Sequence, residues 1–216
     1  MSRPLVSLII LEAALSLAAL PQTSTTVVYD YATIAFPLAL STSANGINNN
    51  NVIVGSYLDA ASFQHGFIYK TGKYNKVDFP GASATAVLGI NDNGDLVGVY
   101  QVPGPLNFHG FLRRDGQFHK INAPAATFST VAAGINNAGT IVGTYDDTHG
   151  FIYRDGVYSR WNAPQLPGEQ KQTQLDGISS HDWIVGQVFS GGNWQDSGSR
   201  VAISIFSRPC IQGTDE

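Results

Sequence analysis

Beyond residue 23, hydrophobic and polar positions alternate over short stretches of four to seven residues, each bounded by Gly, Asn, Asp or Pro. That period of two, rich in β-branched and aromatic residues, predicts short strands, and no window there repeats at helical spacing. The stretches themselves recur. Gly46-Ile47-Asn48 returns as Gly89-Ile90-Asn91, Gly134-Ile135-Asn136 and Gly177-Ile178-Ser179, at spacings of 43, 45 and 43 residues. After each comes a second shared stretch: Ile53-Val54-Gly55-Ser56-Tyr57, Leu96-Val97-Gly98-Val99-Tyr100, Ile141-Val142-Gly143-Thr144-Tyr145 and Ile184-Val185-Gly186-Gln187-Val188. A third is His-Gly-Phe, beginning at His65, His109 and His149, and a fourth ends at Pro80, Pro124 and Pro164.

Turn chemistry falls between the stretches. Asn93-Gly94 and Ala138-Gly139 separate the first from the second, and Thr71-Gly72, Asp115-Gly116 and Asp155-Gly156 separate the third from the fourth. Asn-Gly and Asp-Gly supply the positive φ of tight hairpins. Four antiparallel strands in roughly 43 residues is the size of one propeller blade, so the expected fold is all-β, a four-bladed β-propeller. The recurring Gly46, Gly89, Gly134 and Gly177 are expected where sheets crowd at an axis and a Cβ would not fit.

The chain ends complete the count. Tyr31 to Pro37 resembles the fourth strand of a unit, as in Tyr74 to Pro80, but no earlier strands precede it. Val201 to Phe206 falls where the third strand of the last unit is due, and no fourth follows. The N-terminal strand is therefore expected to complete the last blade, either of its own subunit, closing a ring, or of a neighbour, giving a head-to-tail polymer. Tyr31, Ile34 and Phe36 on one side and Val201, Ile203 and Ile205 on the other are the candidate assembly residues.

Composition narrows the partners. Charged residues are only 13% of the chain and the net charge is −4, with no cluster of Lys or Arg, so the phosphate-neutralising stripe of a nucleic-acid binder is missing. One cysteine, Cys210, permits neither an intrachain disulfide nor a Cys-based zinc site. Residues 1–23 differ from the rest: Arg3 and then an almost wholly apolar run from Leu5 to Leu20, broken by Ser7, Glu12 and Ser16. That pattern reads as a secretory leader, or as a retained assembly segment, and its sixteen residues are short for a membrane span, so membrane contact is expected only in transit. The expected organisation is a leader over 1–23, the propeller over 24–208 and a tail over 209–216.

The series Gly-Ile-Asn-Asn-x-Gly-x-Ile-Val-Gly-x-Tyr, then His-Gly-Phe-Ile-Tyr-x-x-Gly, then Ile-x-x-Pro, carried best by Gly134–Tyr145, His149–Gly156 and Trp161–Pro164, resembles the bacterial extracellular HAF repeat over about residues 27–206. The last unit departs from it, lacking His-Gly-Phe and carrying Ser179-Ser180 in place of the Asn pair, as terminal units of arrays commonly do. The resemblance implies a secreted or surface location and carries no reaction with it.

Candidate chemistry is sparse. His65, His109 and His149 would be spread around a ring, whereas metal ligands must meet at one ion, so a repeated structural hydrogen bond to a loop accounts for them better. Asn91-Asp92-Asn93-Gly94-Asp95 is oxygen-rich but lacks the spacing and terminal Glu of an EF-hand and reads as a turn. Asp146-Asp147 reads as a solvated loop pair, and His181-Asp182 as turn chemistry. No paired carboxylates and no Ser or Cys beside a His form a local motif for hydrolysis. Tyr57, Tyr100, Tyr145, Trp183 and Trp194 are candidates for stacking on a sugar, against the plainer role of filling space between blades. No catalytic residue, metal or cofactor is assigned. The expectation is a non-enzymatic extracellular or cell-surface protein with a structural or adhesive role, with itself or a glycan as partner and filament formation by strand exchange as one mode. A lectin-like propeller and a glycan hydrolase or lyase on the same scaffold are the alternatives.

Overall fold

The computed structural model describes residues 31–103, 108–163, 171–190 and 200–206, and all regular structure in them is β. The chain falls into two units, Met1–Thr33 and Ile34–Glu216, and the sheets belong to the second. The first sheet pairs β1 (Ser41–Ile47), β2 (Ile53–Leu58), β3 (Gln64–Lys70) and β4 (Lys73–Val77) in sequence order. The second holds β5 (Ala84–Ile90), β6 (Leu96–Gln101), β7 (Phe108–Arg114) and β8 (Gln117–Ile121). The third holds β9 (Thr130–Ile135), β10 (Ile141–Tyr145), β11 (His149–Arg154) and β12 (Val157–Trp161). The fourth has β13 (Lys171–Ile178), β14 (Ile184–Ser190) and β15 (Arg200–Phe206). Every strand pairing within the sheets is antiparallel, so one sequence period is one meander.

Local chemistry explains the meander. Thr71-Gly72, Asp115-Gly116 and Asp155-Gly156 all have positive φ at both residues, the backbone of a two-residue hairpin turn whose twist matches its strands. Each first strand carries a bulge just before its Gly-Ile, at Ala44/Gly46, Val87/Gly89, the turn of register opposite Val142/Gly143, and Leu175/Gly177. Two of the sequence motifs turn out to be one cross-strand pair: Gly55 lies opposite Phe67, Gly98 opposite Phe111 and Gly143 opposite Phe151. A Cβ on any of these glycines would come within 2.8–2.9 Å of the facing phenyl ring, and the three rings are buried. The glycine makes room and the ring covers it, which restores the apolar surface that glycine leaves bare.

Neighbouring sheets meet through a second set of glycines. A Cβ on Gly46 would lie 3.5 Å from the Cα of Gly89, one on Gly89 3.4 Å from that of Gly134, and one on Gly134 2.9 Å from that of Gly177. The expectation of close backbone approach at these positions therefore holds at three successive junctions. On the outer side of each junction, Gly66 admits Val87, Gly110 admits Ala132 and Gly150 admits Leu175, all fully buried. Burying a Val or Leu there contributes about 2 kcal/mol each.

A latch completes each junction. The N–H of Phe79 donates to Thr85 Oγ1 at 3.0 Å, that of Ala123 to Thr130 at 3.3 Å and that of Ala163 to Thr173 at 3.0 Å. The Phe79 ring stacks on Tyr100 at 3.6 Å, with its edge neighbour Phe118 at 5.2 Å. The residue before each proline is thus clipped to the first strand of the next sheet.

The chain start uses the same latch. Residues 31–36 form no strand, and the fourth sheet is three-stranded among the described residues. A strand needs an edge to pair with, and what holds this segment is its last residue. The Phe36 N–H donates to Thr42 at 3.0 Å, its ring stacks on Tyr57 at 3.7 Å, and Ala35 N–H donates to the Tyr74 hydroxyl at 3.0 Å. Phe36 does for the first sheet what Phe79 does for the second.

Candidate functional site

The turn between the first two strands of each sheet is five residues long: Asn48–Val52, Asn91–Asp95, Asn136–Thr140 and Ser179–Trp183. Its first side chain organises it. Asn48 Oδ1 accepts from the N–H of Asn50 and Val52, Asn91 Oδ1 from Asp95, Asn136 Oδ1 from Thr140, and Ser179 Oγ from His181 and Trp183. Its fourth residue takes positive φ, supplied by Asn51, Gly94, Gly139 and Asp182.

The amide ends of those asparagines leave their own repeat. Asn48 Nδ2 donates to the Asn91 carbonyl at 3.0 Å, Asn91 Nδ2 to the Asn136 carbonyl at 3.1 Å, and Asn136 Nδ2 to the Ser179 carbonyl at 3.4 Å. Each Asn therefore ties its own turn with its oxygen and the next repeat with its nitrogen, a double use that Ser179 has no second group to continue. A parallel set braces the exposed rim: Asp92 accepts from the N–H and amide of Asn49 and the amide of Asn137, while its own N–H donates to Asn137 Oδ1. Hydrogen bonds from the Asn137 amide, then from Asn49, hold the Asp92 carboxyl below its ordinary range.

These turns and the four isoleucines before them, Ile47, Ile90, Ile135 and Ile178, line a cavity of about 240 Å³. It has an apolar wall and an amide rim. The donors of Asn48, Asn91 and Asn136 are engaged between repeats, and the one carboxylate among the described lining residues, Asp92, is saturated by amides. That arrangement joins repeats; at its edge Ser180 Oγ lies 3.2 Å from His181 Nδ1 in the exposed last turn.

Tyr57, Tyr100 and Tyr145 are buried. Phe36 and Phe79 cover the first two, and His65, His109 and His149 pack against the three from the facing strand at 5.3, 5.2 and 5.0 Å. Their rings have no face left for a sugar. Trp183 is half-exposed at the end of the last turn, and Trp194 lies outside the described residues. Tyr31 is exposed, Ile34 and Phe36 are half-buried, and Val201, Ile203 and Ile205 lie on β15 opposite Phe189, Gln187 and Val185. Residues 1–23, the tail and Cys210 lie outside the described residues.

The histidines differ from one another. His65 bonds Asp78 at 2.9 Å and Asp59 at 3.3 Å, and His149 bonds Arg160 at 3.1 Å and Asn162 at 3.4 Å. Burial, then the Arg160 charge, pushes the His149 imidazole below its ordinary value against a smaller opposing pull from Asp146. Among the described residues no cluster of three metal-ligating side chains occurs.

Asp146 is more than a solvated loop residue. Its carboxylate accepts the N–H groups of Thr127, Phe128 and Ser129 and the Thr127 hydroxyl at 2.9–3.1 Å, pinning the segment that enters β9. Burial raises its carboxyl, and the three backbone donors together outweigh that and lower it. Asp182 joins repeats, accepting from the Asn136 amide at 2.7 Å and pairing with Arg154 at 3.1 Å. A smaller cavity of about 120 Å³ lies beside Phe108, His109, Asn122 and Phe128, and both phenyl rings are half-exposed.

The latch and the Asn relay were readable in principle. Thr42, Thr85, Thr130 and Thr173 recur at the same spacings as the Gly-Ile motif, four residues ahead of it. The engagement of Asp146 had no such signal, since it occurs in one repeat only. No family model and no curated protein sequence matches this chain.

Proposed function

We propose that the chain is a non-catalytic structural or adhesive module of the cell surface or extracellular space, built of four propeller blades with an N-terminal strand completing the last blade of its own or of a neighbouring subunit. The observation that supports this best is the use of its polar groups. The asparagines and threonines that recur with the repeat, with Asp92 between Asn49 and Asn137, bind repeat to repeat, so the repeated chemistry is that of a scaffold. The resemblance to the HAF repeat and the signal-like start support the extracellular setting. The test is to fractionate the native host's culture and assay the purified full chain on a polysaccharide panel. Recovery from the surface or medium without turnover is the expected result; hydrolysis or elimination of any polysaccharide would reject it.

A second reading is a lectin-like module, and one observation favours it. The half-exposed Phe108 and Phe128 flank the smaller cavity beside His109 and Asn122, a pair of aromatic faces with polar groups between them. Saturable glycan binding that Phe128→Ala abolishes would move this reading to the front.

A further inference from the structure

The three internal junctions are alike, and each buries the same register positions. Val54, Val97 and Val142 on the second strands are 0% exposed, but Val185, their equivalent in the fourth sheet, is 41% exposed. On the opposite side, Ile135 of the third sheet is buried while Ile47 of the first is 62% exposed. Ala44 is exposed where its equivalents Val87, Ala132 and Leu175 are fully buried. Among the described residues a Cβ on Gly177 would meet only Val185, although each preceding glycine of the series meets the backbone of the next sheet. The array thus ends in two open faces, one on the first sheet and one on the fourth, that are the two halves of the junction it makes three times internally.

We propose that these two faces bind each other between copies of this chain, head to tail, as a fourth instance of the same junction. Among the described residues nothing covers either face, and a second copy is the body that carries the matching half of each. The residue sizes fit this pairing. At the internal junctions an empty position, Gly66, Gly110 or Gly150, faces Val87, Ala132 or Leu175. By strand register the position of Gly66 is taken in β15 by Ile203, and that of Val87 is taken in β1 by Ala44. In residue type, large and small have changed sides between these two register positions. The same docking gives the fourth sheet its missing strand. Phe36 is latched to the first sheet as Phe79 is to the second, and Tyr31–Ile34 precede it by the spacing at which Tyr74–Val77 of β4 precede Phe79. In the docked pair that segment adds to the open edge of β15, a β-augmentation fixed in register by the Phe36 latch.

This proposal rests on the structural reading of the chain, and the experiment separates the two. Light scattering over a hundredfold concentration range is applied to the full chain, to Ala44→Leu, to Ile203→Gly and to the double variant, with circular dichroism as the check of folding. The wild-type mass is expected to rise with concentration above the 23.1 kDa of one chain. Ala44→Leu, a change at an exposed position, is expected to weaken association at least tenfold, and Ile203→Gly added to it to restore association by recreating the internal Gly–Leu pairing. A wild type that keeps the monomer mass throughout overturns the proposal, because the faces are then covered within one chain, and so does an Ala44→Leu chain that associates unchanged. Assembly together with polysaccharide turnover would reject the structural reading and leave the docking intact.

Discussion

The junction between the second and third sheets and the faces at the two ends of the array are built from the same register positions, yet one is closed and the other open. At the closed junction Gly89 meets the backbone of Gly134, Ala132 fills the space over Gly110, Asn91 reaches the Asn136 carbonyl and Thr130 holds Ala123. At the open end a Cβ on Gly177 would meet, among the described residues, only the Val185 side chain, Ser179 ends the amide relay and Val185 is half-exposed. The difference shows that the periodic residues of this chain act in pairs across sheets. A motif is complete only where a following repeat supplies the other half.

Substituting the same glycine on either side of that divide gives the largest expected effect. Gly134→Ala places a Cβ 2.9 Å from the Gly177 Cα, a backbone contact that cannot rotate away, and should cost about 3 kcal/mol, lowering Tm by roughly 10 °C. Gly177→Ala meets only the Val185 side chain at 3.3 Å and should cost under about 1 kcal/mol in dilute solution. Equal losses would mean that the fourth sheet has a covering neighbour in the monomer. Next in size is the aromatic latch. Phe79→Ala removes the ring stacked on Tyr100 and should cost about 3 kcal/mol by urea unfolding, against about 1–2 kcal/mol for Phe36→Ala at the open start of the array.

The relay gives a smaller contrast. Asn91→Ala leaves the Asn136 carbonyl and the buried Asp95 without their amide partner, an expected loss of about 2 kcal/mol, whereas Ser179→Ala removes only acceptors at an exposed turn, about 0.5–1 kcal/mol. The smallest effect is on pH. His149 titrates below its ordinary 6.5, so the unfolded chain binds its proton first; stability is full above 6.5 and falls as pH drops through the folded value. Asp146, together with Asp92 and Asp59, adds a second decline below 3.8, which should shrink in Asp146→Asn. A urea midpoint followed from pH 8 to pH 3, with His149→Gln as control, about which the first decline should vanish, reads both steps.

Much of the fold was legible because it is local and periodic. Strand limits follow from alternation, hairpins from Asp115-Gly116 and its counterparts, and sheet crowding from Gly46, Gly89 and Gly134. What stayed hidden was partnership. Gly55 and Phe67 recur in step, but alternation does not say that one covers the other, and the period of Thr85 is uninformative until Phe79 is seen to bond it. Tyr57, Tyr100 and Tyr145 illustrate the limit for sites: a repeated tyrosine reads alike as a sugar platform or as packing, and only burial beneath Phe36 and Phe79 distinguishes them. Tyr31–Phe36 forms no strand in the single chain for a related reason, since its alternation says how it would pair and not whether an edge is offered.

Amide hydrogen exchange at two concentrations tests most directly the claim that the closed junctions and the open ends are one interface. In dilute solution β6, β7 and β10 should exchange slowly, and the outer amides of β15 quickly. At high concentration β15 and Tyr31–Ile34 should become protected together while the internal strands are unchanged. Protection of β15 already at the lowest concentration would contradict it, because the last sheet would then be completed within a single chain.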